Sequence, residues 1–193
     1  MEVRKALVIE KLNSLSALRN FSCGVAQMDQ FIHSGLQASI DNHYCKAYCV
    51  RIEGEVVAVF ALSYDSIDLD PDDKGELLDG ISITSTPHLT PEYIDTFYGK
   101  LRYPALDIAY LAVQERWRGK GIGEAIVLEI EEKTRMQDFA GCQFLSVEAL
   151  STKDYTAVGF YYKCGFAPNE YPNPSKDTLR MYKTLYAAEN IEV

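Results

Sequence analysis

The sequence has no apolar run long enough to cross a lipid bilayer. Its longest purely apolar stretch covers residues 56–62, whereas a membrane-spanning helix needs about 20 such residues. The first residues also contain neither the apolar core nor the cleavage site of a secretory signal. These absences exclude a membrane-embedded class, and we expect a cytoplasmic protein that has no membrane partner.

Paired cysteines are also missing. The five cysteines are an odd number in a chain without an export signal, so we expect reduced thiols rather than a disulfide framework. Cys45 and Cys49 stand four residues apart without a second Cys/His pair nearby, which argues against zinc. A calcium loop starting at Asp68 would need glycine and glutamate where Asp73 and Asp79 stand. We therefore expect no metal.

Basic residues are scarce. Lysine and arginine number 19 against 28 acidic residues, which gives a net charge of −9. The stretch 65–80 holds seven acidic residues against Lys74 alone, a local charge of 1 − 7 = −6. We expect this stretch to be a solvated acidic loop. The length of 193 residues fits one domain, and we assign 1–193 to it, with an acidic insertion at about 65–103.

A glycine-rich run, Arg118 to Gly123, is the strongest functional motif in the sequence. It follows a strand-like segment and precedes an amphipathic one, so its backbone N–H groups at a helix start could bind a phosphate. Lys120 is not followed by Ser or Thr, which excludes a Walker A loop, and the glycine spacing excludes a dinucleotide fingerprint. The alternative is an ordinary glycine-rich turn without a ligand.

The remaining pattern predicts an α/β order of elements. The segment 123–135 reads as a helix with Ile126, Val127 and Ile130 inward, and with Glu124, Glu131 and Glu132 outward. The predicted strands are 5–12, 47–52, 55–63, 106–113, 144–149 and 179–185, and the other predicted helices are 28–36, 91–98 and 154–163. The stretch 65–100 otherwise reads as irregular and polar.

The glycine run and this element order resemble the GNAT acetyltransferase superfamily. A second signature, Phe160-Tyr161-Tyr162-Lys163-Cys164-Gly165-Phe166, is similar to the Phe-Tyr-x-x-x-Gly-Phe run of that family. The resemblance implies a mixed, mostly antiparallel sheet of about six to seven strands flanked by helices, with acetyl-CoA bound at a splay between two central parallel strands. It implies the cofactor-binding residues Leu111, Ala112, Val113, Arg118, Gly119, Lys120, Gly121, Ile122 and Gly123.

The same resemblance gives Tyr161 the role of general acid toward the departing CoA thiolate. Strand backbone at 111–113 could donate an N–H to the oxyanion, and Glu148 is a weaker candidate for the base that deprotonates the amine. The implied reaction is direct acetyl transfer to a primary amine in a ternary complex. A CoA-binding module without turnover remains the alternative from another class.

A narrower resemblance is to the GNAT toxins of bacterial toxin–antitoxin pairs. It is carried by Phe21-Ser22-Cys23-Gly24, by Met28-Asp29-Gln30-Phe31-Ile32 and by Leu111-Ala112-Val113. In that family the acceptor is aminoacyl-tRNA and a ribbon-helix-helix antitoxin neutralises the enzyme. The acceptor therefore stays open between a small molecule, a peptide and aminoacyl-tRNA, and an antitoxin or homodimer partner stays open too. The acidic charge fits tRNA poorly.

Overall fold

A seven-stranded sheet forms the centre of the protein. The computed structural model describes residues 7–75, 77, 91–169 and 175–185. The strand order in the sheet is β1-β2-β3-β4-β5-β7-β6. The strands are β1 Val8–Lys11, β2 Lys46–Ile52, β3 Glu55–Ile67, β4 Tyr103–Val113, β5 Phe144–Leu150, β6 Ala167–Pro168 and β7 Thr178–Thr184.

Neighbouring strands are antiparallel except for the central pair β4 and β5. This parallel pair is joined only at its start, where the last partners are Asp107 and Ser146. Beyond that rung the two strands separate. The predicted mixed sheet with a splay between two central parallel strands is therefore confirmed.

Helices cover both faces of the sheet. A continuous helix, α1, spans residues 26–41, with a π-helical segment at Phe31–Gly35 between α-helical segments at Ala26–Gln30 and Leu36–Asp41. It packs on one face, whereas helices α3 (Ile122–Met136) and α4 (Val158–Lys163) pack on the other. A further helix, α2 (Pro91–Gly99), precedes β4. No helix in the described ranges is long and apolar enough to span a membrane.

Two turns take the conformations that their glycines allow. Glu53 and Gly54 have φ of 50° and 84°, so the β2–β3 hairpin closes with the left-handed pair that suits a tight turn. Gly165 ends α4 at φ 83°. Its N–H bonds the carbonyl of Tyr162, and the N–H of Phe166 bonds the carbonyl of Tyr161, which is a Schellman motif. The predicted hairpin and helix stop are confirmed.

One side chain of α3 departs from the predicted pattern. Ile126, Val127 and Ile130 are buried as expected, but Glu131 is also buried, at 6% exposure. Its carboxylate pairs with Arg135 on the same helix and with Lys183 of β7, both within 2.7 Å. The outward prediction for Glu131 is wrong because two cations make its burial tolerable.

Several element boundaries also differ from the prediction. Helix α4 begins at Val158 rather than at 154, because three hydrogen bonds between Thr152 and Tyr155 hold a turn there. Strand β3 continues to Ile67, into the stretch predicted to be irregular. Asp65 is consequently part of a strand and is partly buried, so the prediction of a solvated loop is wrong for this residue; Asp79 lies outside the described residues.

Candidate active site

The separation of β4 and β5 opens a cleft of about 660 Å³. Ala61 pairs with Tyr110 and Ser63 with Asp107, so two steps along β3 match three along β4. The extra residue is a β-bulge at the point where the strands part. It places Ile108 in the core under α3 and Tyr110 in the core under α1, although only one residue separates them. Backbone groups of β4 beyond the bulge line the cleft without a β5 partner.

The glycine run lies at one end of this cleft. Gly119 and Gly121 have φ of 71° and 76°, values that L side chains rarely adopt. Gly121 is the N-cap of α3, and no side chain caps the helix. The first N–H of the helix that has a backbone acceptor is that of Ala125, which donates to the Gly121 carbonyl. The preceding N–H groups of the helix are therefore available to an anion at the positive end of the helix dipole.

Two cations flank these N–H groups, and aromatic rings position both. The Arg118 guanidinium lies 5.6 Å from the ring centre of Tyr155, and the Lys120 ammonium lies 4.3 Å from that of Trp117. Neither cation forms an ion pair within the described part of the chain. A cation held over a ring keeps its N–H donors available. The loop, the helix start and these cations fit the pyrophosphate of acetyl-CoA.

The third glycine of the run, Gly123, is required for a different reason. A Cβ on Gly123 would come within 2.9 Å of the Phe160 ring, whereas Cβ atoms on Gly119 and Gly121 would meet nothing within 4 Å. Gly123 thus lets α3 and α4 approach each other. Backbone conformation alone requires the other two glycines.

Tyr161 lies on α4 at the cleft and is only 5% exposed. Phe160 and Phe166 pack edge-on against its ring, with centroids 5.0 and 5.3 Å away. Burial raises the pKa of Tyr161 above its usual value, and the nearby Cys164, Asp107 and Tyr155 raise it further. None of the described groups hydrogen-bonds its hydroxyl. The phenol is therefore neutral and has a proton to donate into the cleft.

Glu148 also lines the cleft, but its carboxylate is engaged. The Arg180 guanidinium donates to it at 3.2 Å, and the Glu148 side chain is 47% exposed. The Glu148 carboxylate is therefore already bound by a cation of β7.

Helix α1 forms the wall opposite α4. Gln27, Met28 and Phe31 line the cleft, and the Tyr110 hydroxyl donates to the Met28 carbonyl at 3.0 Å. The turn before this helix is held by Asp29, which accepts from the Ser22 hydroxyl and the Cys23 N–H, both at 2.7 Å. Hydrogen bonds from these groups lower the pKa of Asp29 against the opposing effect of burial. This explains the spacing of the Phe-x-Cys-Gly turn and the helix start.

The structure brings the predicted site residues to one place. The same cleft is lined by Tyr161, Glu148, residues 111–113 and the glycine run without Lys120. The Lys120 ammonium instead contacts the ring of Trp117, which lines the cleft. Sequence reasoning missed Trp117 and Asp107. For Asp107 a signal existed, since it is the one charged residue in the apolar strand 106–113.

Known proteins match this chain in sequence and in fold. The family model of the acetyltransferase (GNAT) domain matches residues 88–168. The tRNA(Met) cytidine acetyltransferase TmcA of Saccharolobus islandicus (strain Y.G.57.14 / Yellowstone #1) is 29% identical over 100 residues. That match covers 51% of this chain and 12% of TmcA, so the chain spans about an eighth of that relative.

Solved toxin structures share the fold over most of their length. A tyrosine-to-phenylalanine mutant of the toxin AtaT superposes with a TM-score of 0.65 at 20% identity, covering 94% of this chain and 91% of AtaT. A similar mutant of KacT gives 0.64 at 18% identity, covering 93% and 95%. AtaT complexed with acetyl-methionyl-tRNAfMet gives 0.61 at 21% identity, covering 90% and 93%. Residues 88–168 therefore match the model of the GNAT acetyltransferase domain, and the chain has the fold of these toxins.

Proposed function

We propose that the protein transfers the acetyl group of acetyl-CoA to a primary amine by direct attack within a ternary complex. One arrangement carries the proposal: the uncapped start of α3, with its glycine run, opens onto the same cleft as the unbonded hydroxyl of Tyr161. The first feature suits the pyrophosphate of acetyl-CoA and the second suits its departing thiolate. Acetyl-CoA supplies the activated thioester.

The residues of the chain have separate tasks in this reaction. Arg118, Lys120 and the N–H groups at the start of α3 would bind the pyrophosphate. Unpaired backbone N–H groups of β4 beyond the bulge are suited to the oxyanion, and each well-aimed donor contributes about 3–4 kcal/mol. Tyr161 would donate its proton to the sulfur. Because its pKa is raised, it is protonated throughout the physiological range.

The cysteines favour direct transfer over an acyl-cysteine intermediate. Cys23 lines the cleft, but burial raises the pKa of its thiol to about 11. Burial likewise raises the pKa of Cys164 to about 11. At neutral pH only about one such thiol in ten thousand is a thiolate, and the thiolate is the nucleophile. Attack by the acceptor amine itself needs no such group.

Calorimetry with acetyl-CoA followed by a labelling assay tests the function. We expect saturable binding of acetyl-CoA, and transfer of labelled acetyl to an amine acceptor. Native protein that binds no CoA would contradict the proposal entirely. Binding without transfer to any amine, from free amines to aminoacyl-tRNA, would support a CoA-binding module without turnover.

Aminoacyl-tRNA is a second candidate acceptor. AtaT, which shares the fold over 90% of this chain, has a structure complexed with acetyl-methionyl-tRNAfMet, and the relative TmcA is also named for tRNA. AtaT also has a structure bound to the C-terminus of its antitoxin AtaR and to acetyl-CoA. On this candidate function the protein would acetylate the amino acid of charged tRNA and would be neutralised by an antitoxin. The −9 charge favours a small amine or peptide instead.

A further inference from the structure

A polar cluster lies where β4 and β5 part, on the face of the sheet opposite α3 and α4. Side chains alternate along a strand, so Asp107 shares this face with the buried Tyr103 and Ala105. Ser146, its partner on β5, is fully buried. Asp65 of β3 and Arg180 of β7 complete the group, and the Ser146 hydroxyl donates to Asp65 at 2.6 Å.

Three carboxylates meet at this cluster, but Arg180, the one cation that the described residues place there, pairs with only two of them. Arg180 binds Asp65 at 2.6 Å and Glu148 at 3.2 Å. Asp107 accepts a long hydrogen bond of 3.4 Å from the Ser63 hydroxyl, and the Ser146 oxygen also lies 3.4 Å away, although its proton is donated to Asp65. Within the described part of the chain it has no ion pair. Of the three carboxylates, Asp107 is therefore the one whose oxygens are most available to accept a proton.

The position of Asp107 relates it to the cleft. It forms the last parallel rung with β5, and the residues that follow it, Ile108 and Ala109, line the cleft. Its charge is also close enough to Tyr161 to contribute to the raised pKa of that phenol. Tyr161 lines the cleft and belongs to the core cluster on the α4 face, whereas Asp107 lies on the opposite face at the last rung, next to the cleft lining rather than in it.

We propose that Asp107 is the general base that takes the proton of the attacking amine, an inference that rests on the acetyltransferase function proposed above. The amine nitrogen forms a bond to the acetyl carbon, and its N–H proton passes through a water molecule to the Asp107 carboxylate. The C–S bond breaks, and the sulfur takes the Tyr161 proton. One proton then moves from Asp107 to Tyr161 through water, so the enzyme returns to its starting state and the products are an amide and free CoA.

The electrostatics of the cluster suit this role. Burial raises the pKa of Asp107 to about 6, and the charges of Asp65 and Glu148 add to this, whereas Arg180 and the Ser63 hydroxyl oppose it. A base works best when its pKa approaches that of the group it deprotonates and the working pH. An α-amino group, with a pKa of about 7.7–8.0, lies far closer to it than a lysine amine at about 10.4. The assignment therefore favours an α-amino acceptor.

The test is the pH dependence of kcat for the wild type and for Asp107→Asn, at saturating acetyl-CoA. Two probes supply the amine: methionyl-tRNA and a short peptide with a free α-amino group. Asn has nearly the size of Asp but cannot take the proton. We expect the wild-type rate to rise with pH around a midpoint of about 6. In Asp107→Asn this rise should disappear, and the rate at pH 8 should fall by roughly 10²-fold or more, while calorimetry finds acetyl-CoA binding unchanged.

Each other outcome has a defined meaning. A wild-type profile that is flat around pH 6 overturns the assignment without any variant, so failure of Asp107→Asn to fold does not block the test. Loss of the rise in Glu148→Gln rather than in Asp107→Asn assigns the base to Glu148. If the wild type acetylates neither probe nor any other amine, both the proposed function and this inference are wrong.

Discussion

At the residue scale, the burial of Tyr161 separates its role in the reaction from its role in folding. Tyr161→Phe removes one hydroxyl that bonds no described group, and it leaves the ring packed between Phe160 and Phe166. We expect unchanged thermal stability and acetyl-CoA affinity but a kcat lower by about 10²–10⁴, the range for acid–base groups. Steady-state kinetics measure kcat, and calorimetry measures the thermal stability and the acetyl-CoA affinity.

The neighbouring Tyr162 provides a matched control. It stands on the same helix, is 51% exposed and is not among the residues that line the cleft. Tyr162→Phe should leave kcat as it is. Equal losses in the two variants, or none in Tyr161→Phe, would assign the proton donor to another residue or to water.

The sequence indicated Tyr161 through a motif, but it could not indicate the partners of charged residues. Glu131 was predicted to face outward, yet Arg135 and Lys183 bind its carboxylate in a buried position. Asp107 is visible in the sequence as a charge within an apolar strand. Its long hydrogen bond and its lack of a cation depend on where β3 and β7 place Asp65 and Arg180, and no local pattern contains that information.

At the scale of elements, the glycine run couples the start of α3 to acetyl-CoA. Gly121→Glu places a carboxylate at the N-cap, beside the N–H groups that would bind pyrophosphate, and imposes φ of 76° on a residue that disfavours it. We expect a loss of about 1–2 kcal/mol in folding stability and loss of the rise in melting temperature that acetyl-CoA gives by binding the native state.

Gly54→Glu controls for the strain. Gly54 also has a left-handed φ, 84°, and open space at its Cβ, but it lies in the β2–β3 turn away from the cleft. A similar drop in stability with a full acetyl-CoA shift is expected. A retained shift in Gly121→Glu would show that the loop does not bind the cofactor.

The elements themselves were largely predictable, because β2, β3, β4, β5 and α3 follow from apolar periodicity and turn residues. The β4 bulge was not, since it consists of a register mismatch with β3. The π-helical segment of α1 also gave no local signal. A Cβ on Gly35 would come within 2.7 Å of the ring of Phe31, which lies in the same π-helical segment.

At the scale of the whole molecule, charge is unevenly divided around the cleft. The chain as a whole carries −9, yet Arg118 and Lys163 line the cleft and Lys120 stands beside it. Two of these cations belong to the proposed pyrophosphate site. A polynucleotide acceptor would thus meet few cations beyond those that acetyl-CoA uses.

The last prediction decides between the two acceptor classes by their response to salt. Each phosphate contact made by tRNA contributes a slope of about −0.7 to −0.9 to the logarithm of affinity against the logarithm of salt. Because of the −9 charge, we expect a shallow slope for the apparent acceptor affinity, typical of a small amine or peptide. Lys163→Gln should leave that slope unchanged. Lys46→Gln is the control, because Lys46 is exposed and does not line the cleft. A steep slope that Lys163→Gln reduces by about one contact, with labelled acetyl recovered on aminoacyl-tRNA, would instead establish the second candidate function.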